Sequence, residues 1–171
     1  MRFLLLISVF FTFSFSNILD FNSIQSSFKQ TITNEEGKQI HYEGSFYALK
    51  EEKALWIYNK PISKKMYFNA NKVVILEPEL EQAIITTLKN TPNIANILKN
   101  AKEIAPFTYE TNFDDITYTI YTKQEQIQKI EYKDKLDNKV VIEFLNQSIN
   151  GYLDASLFEV VIPQEFDIIT Q

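Results

Sequence analysis

A chain of 171 residues with a formal charge of −5 suits a single domain able to bury its own core. That balance offers nothing to attract nucleic acid, and the lysines are scattered rather than patched. There is no cysteine, so disulfides, thiolate nucleophiles and cysteine metal sites are excluded.

The chain starts with Arg2, an apolar run from Phe3 to Phe15, and small residues at Ser14 and Ser16 ahead of Asn17. This predicts a secretory signal peptide over 1–16 and a mature domain over 17–171. The run is too short for a membrane span, which takes about 20 apolar residues. No cysteine follows the cut, so the expected product is exported and soluble rather than lipid-anchored. Ile18, Phe21, Ile24 and Phe28 then recur at spacings of three and four, which predicts a short amphipathic helix with Phe21 and Ile24 on its apolar face. That helix would either dock on a sheet or cover an apolar cavity.

A meander of short strands is expected next. Lys29–Thr33 and Gln39–Leu49 bracket a turn at Asn34 to Gly37, where glycine supplies positive φ. The stretch from Tyr42 to Pro61 reads as two strands joined by the charged turn Lys50 to Lys53. Tyr42, Gly44, Phe46 and Ala48 share one face of the first strand; Ala54, Trp56 and Tyr58 share one face of the second. The opposite faces carry Tyr47, Leu49, Leu55 and Ile57. A sheet apolar on both sides needs cover on both, from helices, a second layer or a ligand. Strands at Lys65–Asn69, Lys72–Leu76 and Gln82–Thr87 continue the meander.

The pattern then breaks. Thr91 and Pro92 have the form of an N-cap and first helical position, and Ile94, Ile97, Leu98 and Ala101 line one face of a helix inserted into a sheet protein. Strands resume at Thr108–Asn112, Ile116–Thr122, Gln126–Tyr132 and Lys139–Leu145, and the chain closes through Phe158 and Pro163.

Catalytic equipment is sparse. His41 is the single histidine and lies within a strand, and three glycines cannot build a phosphate loop. No serine has a nucleophile-elbow setting, and metal-ligand spacing is absent. Glu77, Glu79 and Glu81 could in principle supply paired carboxylates for glycoside hydrolysis. Around Pro78 they read more simply as a charged turn, as do Asp114 and Asp115.

The order of features resembles the LolA family of periplasmic outer-membrane lipoprotein carriers. The features are a leader, a segment ending Ser27-Phe28-Lys29-Gln30, Gly44, Leu55-Trp56 to Pro61, Asn71-Lys72, Leu80-Glu81-Gln82-Ala83, an inserted helix, and Phe158-x4-Pro163. The resemblance implies a mainly β fold, a curved antiparallel sheet forming an unclosed β-barrel covered by a helical lid. It implies a non-enzymatic chaperone without cofactor or metal. Such a carrier takes lipoproteins from an inner-membrane LolCDE-type complex, shields their acyl chains, and passes them to an outer-membrane LolB-type receptor where one exists, acting as a monomer. The acyl-chain wall falls to Trp56, Tyr58, Phe46, Met66 and Ile75, and the lid to Phe21, Ile24, Ile94, Ile97 and Leu98. Lys50 is the candidate lid lock: the family commonly has an Arg-Pro pair there, and Lys50-Glu51 matches neither residue. The family's aromatic before Trp56 is here Ala54. Another periplasmic lipid-binding module of the same fold, or less readily a secreted hydrolase using Glu77 and Glu81, stand as the alternatives.

Overall fold

The computed structural model describes residues 21–50, 53–87 and 94–171, with side chains at all of these but 95, 96 and 99. The expected signal peptide over 1–16 and the helix cap at Thr91 and Pro92 lie outside them. The strands are β1 Ser23–Thr33, β2 Gln39–Leu49, β3 Lys53–Lys60, β4 Lys64–Asn69, β5 Lys72–Glu77, β6 Gln82–Thr87, β7 Lys102–Ala105, β8 Thr108–Phe113, β9 Ile116–Lys123, β10 Gln126–Lys133, β11 Lys139–Ile149 and β12 Asp167–Thr170, with one helix, α1, Ile94–Lys99. They form one twelve-stranded sheet in the order β12-β6-β5-β4-β3-β2-β1-β11-β10-β9-β8-β7.

Two meanders make up this sheet. The first runs β1 to β6 and the second β7 to β11, and each neighbour pair within them is antiparallel. The long β1–β11 ladder joins them, with Thr33 opposite Lys139 and Ile24 opposite Ile149. β12 returns to pair in parallel with β6. Among the described residues β12 and β7 are the two ends of the sheet, so it does not close. The hairpin turns explain the acidic pair Asp114–Asp115 and the polar residues of other turns. Asp114 and Asp115 (φ 51 and 64) and Gln124 and Glu125 (φ 50 and 60) hold the positive φ values that two-residue hairpin loops demand. In the β10–β11 turn, Asp134 Oδ1 accepts from the backbone N–H groups of Leu136 at 2.9 Å and Asn138 at 3.0 Å.

The sheet curls strongly. Three strand steps separate β3 from β11, about 14 Å in a flat sheet at ~4.8 Å per step. The rings of Trp56 and Phe144 on those strands nevertheless lie 6.2 Å apart. The enclosed side carries the main core, which includes Ile24, Phe28, Phe46, Ile120, Ile130 and Val140. A second core lies on the outer face of β3 to β6, where Leu55, Tyr67, Val74, Leu76 and Ala83 pack beneath Phe158. The doubly apolar strands are therefore covered on the outside by the irregular C-terminal segment 150–166, which crosses them.

The expected helical lid is overturned. The described residues contain a single α-helix, α1, of six residues. The helix expected up to Phe28 is instead the central strand β1, preceded by Phe21. Ile24, Phe28 and Ile32 face inward, and a spacing of four satisfies both the helical period and the two-residue period of a strand. The intervening inward positions hold polar Ser26 and Gln30, which hid the alternation. Both are buried and satisfied: Ser26 Oγ donates to the Leu145 carbonyl at 2.8 Å, beside an irregularity in the β1–β11 register. The sheet pairing of β1 on both edges overrides its local periodicity.

Candidate functional site

The enclosed face of the sheet holds a cavity of about 290 Å³. Met66 and Phe68 on β4 and Ile116 and Tyr118 on β9 line it together. In a flat sheet six strand steps, about 29 Å, would separate those strands. Curvature thus creates the site by bringing distant strands to face one another.

The aromatic wall comes from the alternation of β3. Trp56 and Tyr58 point inward beside Phe28, with ring centroids 4.9 and 5.1 Å from it in edge-on geometry. Phe46 on β2 lies 4.4 Å from Trp56 and is fully buried. Edge-on and tilted contacts are the arrangements aromatic quadrupoles favour. Opposite them, Tyr118 and Tyr132 stand 4.8 Å apart. α1 completes the wall with Ile94 and Ile97, while Leu98 beside them is almost wholly buried.

The polar groups of the wall are satisfied or kept neutral. Tyr58 Oη donates to Gln30 Oε1 at 2.9 Å, a buried pair between β3 and β1. Burial pushes the phenols of Tyr58 and Tyr132 well above their ordinary range, and neighbouring ionisable groups add to the shift, so both stay uncharged at neutral pH. Lys64 Nζ sits 4.5 Å above the Tyr58 ring and 5.5 Å above that of Tyr42. Burial holds this ammonium below the usual lysine range, offset in part by Glu77. The result is an apolar interior with one cation beside its aromatic wall, suited to aliphatic chains and unsuited to charged solutes.

Removal of the Tyr58 hydroxyl tests how dry this wall is. Tyr58→Phe leaves the buried Gln30 carbonyl without its donor and should cost about 1–3 kcal/mol in urea unfolding. Adding Gln30→Leu should recover much of that loss. A single variant as stable as the parent would mean that water already satisfies Gln30.

Of the residues picked from sequence for the acyl wall, Trp56, Tyr58 and Met66 line the cavity. Phe46 and Ile75 belong to the same apolar cluster. Those picked for the lid, Phe21, Ile24, Ile94, Ile97 and Leu98, are buried in that cluster too, but Phe21 precedes β1 and Ile24 lies on it, so neither belongs to a covering helix. Lys50 is exposed after the end of β2, its backbone N–H donating to the Asn22 carbonyl at 3.0 Å, and no helical lid is seen for it to lock. Sequence reasoning missed Gln30 and the second tyrosine pair, Tyr118 and Tyr132; their inward alternation on β1, β9 and β10 was the available signal. The acidic run is a turn: Glu77 accepts from Gln82 Nε2, and Glu81 ends a 3-10 turn at φ 50. His41, also on the surface, shares a hydrogen bond with Thr31 at 3.1 Å. Among the described residues no three His, Asp or Glu side chains are grouped to hold a metal ion.

Residues 20–105 match the family described as outer membrane lipoprotein carrier protein LolA. An outer-membrane lipoprotein carrier protein of Campylobacter jejuni is 39% identical over 164 residues, covering 94% of this chain and 96% of that one. Its counterpart in Wolinella succinogenes is 36% identical, covering 100% of both chains. Among solved structures, an uncharacterized conserved protein from Thermus thermophilus superposes with a TM-score of 0.56 at 8% identity, over 90% of this chain and 93% of that one. A LolA superfamily protein from Nitrosomonas europaea gives 0.52 at 11% identity, over 84% and 94%. These two share the fold alone. With identity of this order sustained along full-length relatives, the chain belongs to the LolA family of outer-membrane lipoprotein carrier proteins.

Proposed function

We propose that this protein is a periplasmic chaperone that carries lipoproteins to the outer membrane, sheltering their acyl chains against Trp56, Tyr58, Phe46, Met66 and Ile75. The observation that carries this reading is the apolar cavity on the enclosed face of an unclosed sheet. Each methylene removed from water is worth about 0.8 kcal/mol, so even partial burial of an acyl chain holds cargo in solution. The cavity volume lies at the low end of the range for small-molecule sites. Longer chains require the walls to part, and a sheet that is not closed can widen without breaking a closed ladder. Incomplete burial also keeps release feasible, as a carrier requires.

In this reading an inner-membrane LolCDE-type complex loads the protein, and a LolB-type receptor, where present, unloads it. The carrier works as a monomer and forms no covalent bond to its cargo. The test is mass spectrometry of material that copurifies with the protein from the periplasm. Triacylated peptides are expected. Free phospholipid alone would instead support a different lipid carrier built on the same fold.

A further inference from the structure

The outer face of the sheet holds a second cavity, separated from the first by the sheet itself. It measures about 480 Å³ and lies between β4 to β6 and the C-terminal segment that crosses them. Strand alternation builds its floor: Tyr67, Val74 and Ile85 all point outward. Phe158, Val160 and Ile162 form the roof. Val74 and Phe158 are buried, so the two layers are held together. The roof is fixed at both ends without being part of the sheet. At one end the Asn150 N–H donates to the Ser23 carbonyl at 2.8 Å at the start of β1, and at the other the Asp167 N–H donates to the Glu81 carbonyl at 2.8 Å, where β12 begins. Between these anchors the chain makes contact chiefly through side chains, and such a layer can yield to a ligand without loss of backbone ladder.

One end of this cavity is cationic. Lys53 opposes Asn69 and Asn69 opposes Lys72 in the strand register, so the two lysines share the outer face two strands apart. That spacing is roughly 10 Å between backbones, within reach of two long side chains converging on one anion. Among the described residues Glu159 is the only acid lining the cavity, against the two lysines. An apolar slot with paired cations at one end is the complement of a molecule with an aliphatic tail and an anionic head.

We infer that this outer cavity binds a single-chain anionic amphiphile, its tail between Tyr67, Val74, Ile85 and Val160 and its head between Lys53 and Lys72. A fatty-acid carboxylate and a lysophospholipid phosphate present the same chemistry. The site is distinct from the enclosed cavity and does not depend on what that cavity carries.

The test is a methyl-detected NMR titration of the intact folded protein with laurate and, separately, with lauroyl lysophosphatidylglycerol, both below their micelle concentrations. Saturable shifts are expected at Val74, Ile85, Val160 and Ile162, whether or not Ile94, Ile97 and Ile142 of the enclosed cavity also respond. Lys53→Gln combined with Lys72→Gln should weaken binding about tenfold without altering the fold, and dodecanol should bind the parent as weakly as laurate binds this variant. Response to laurate alone identifies the carboxylate as the source, and response to the lysophospholipid alone identifies the phosphate. Shifts confined to the enclosed cavity, no saturable shift with either ligand, or an affinity indifferent to both lysines would overturn the inference.

Discussion

Gly44→Ala should destabilise the protein by about 3 kcal/mol or more, at the upper end of what overpacking costs. Gly44 lies on the inward face of β2, paired with Phe28 on one side and Tyr58 on the other. A methyl group built there would fall 1.9 Å from the backbone carbonyl oxygen of Ile57 and 2.8 Å from Cε1 of Phe28. The phenyl ring could turn aside, but the carbonyl belongs to a strand held on both edges and cannot. Relief would require β2 and β3 to part where the register between them already shifts, between Glu43 and Gly44. In urea the midpoint should fall by more than a molar unit, taking a slope of about 2 kcal/mol/M. An unchanged midpoint would show that the β2–β3 ladder separates freely there and that this close approach does not fix the curl.

The second large effect concerns Trp56, the only tryptophan in the chain. Its ring is half-buried, facing the enclosed cavity while touching Phe28, Phe46 and Phe144. Trp56→Ala should weaken binding of a triacylated lipopeptide at least tenfold, because it removes the largest apolar surface of the wall. It should also cost stability, though less than the ~3–5 kcal/mol typical of a fully buried aromatic. Trp56→Phe keeps a ring and a fold in place and separates the two effects: stability should recover further than affinity. In the parent, lipopeptide exchanges solvent at the exposed part of the indole for acyl chain, so its emission should move to shorter wavelength on titration. Constant emission, together with undiminished lipopeptide binding by Trp56→Ala, would remove this face from the cargo site.

Much of the architecture was legible in the alternation of side chains. β2 and β6 were bounded correctly, and β4 and β5 to within a residue at either end, because their inward and outward residues differ in kind and clear turn chemistry separates them. The end of β1, Lys29–Thr33, was read as a strand, but its first half up to Phe28 was misread as helix, since its burial depends on ladders to β2 and β11 and on hydrogen bonds from Ser26 and to Gln30, which local periodicity does not report. β7 and β12 were missed for a related reason: every residue in both is exposed, so no hydrophobic pattern marks them and only backbone pairing defines them. The apolar surplus on both faces of the sheet was visible in Leu55, Ile57, Trp56 and Tyr58. That the outer share is covered by an irregular segment around Phe158 was not, because that segment has no periodicity to read. Of the residues lining the enclosed cavity, Trp56, Tyr58 and Met66 had been singled out by strand alternation together with family resemblance. The tyrosines on β9 and β10 needed the curl of the sheet to bring them opposite.

The β1–β11 ladder also sets the order of events when the protein is made. During export the N-terminal part of a chain emerges first, and β1 can pair with β2 as soon as that hairpin is clear. Its other edge has no partner until β11, near the opposite end of the chain, has emerged as well. Until then that edge presents open backbone donors and acceptors, including those beside Ser26 and Phe28, to any passing strand. Contacts so far apart in sequence are slow to form, and a long open edge during that delay favours misassembly with other chains. Newly exported molecules should therefore depend on general holding chaperones for longer than β proteins of similar size whose strands all pair with their immediate successors.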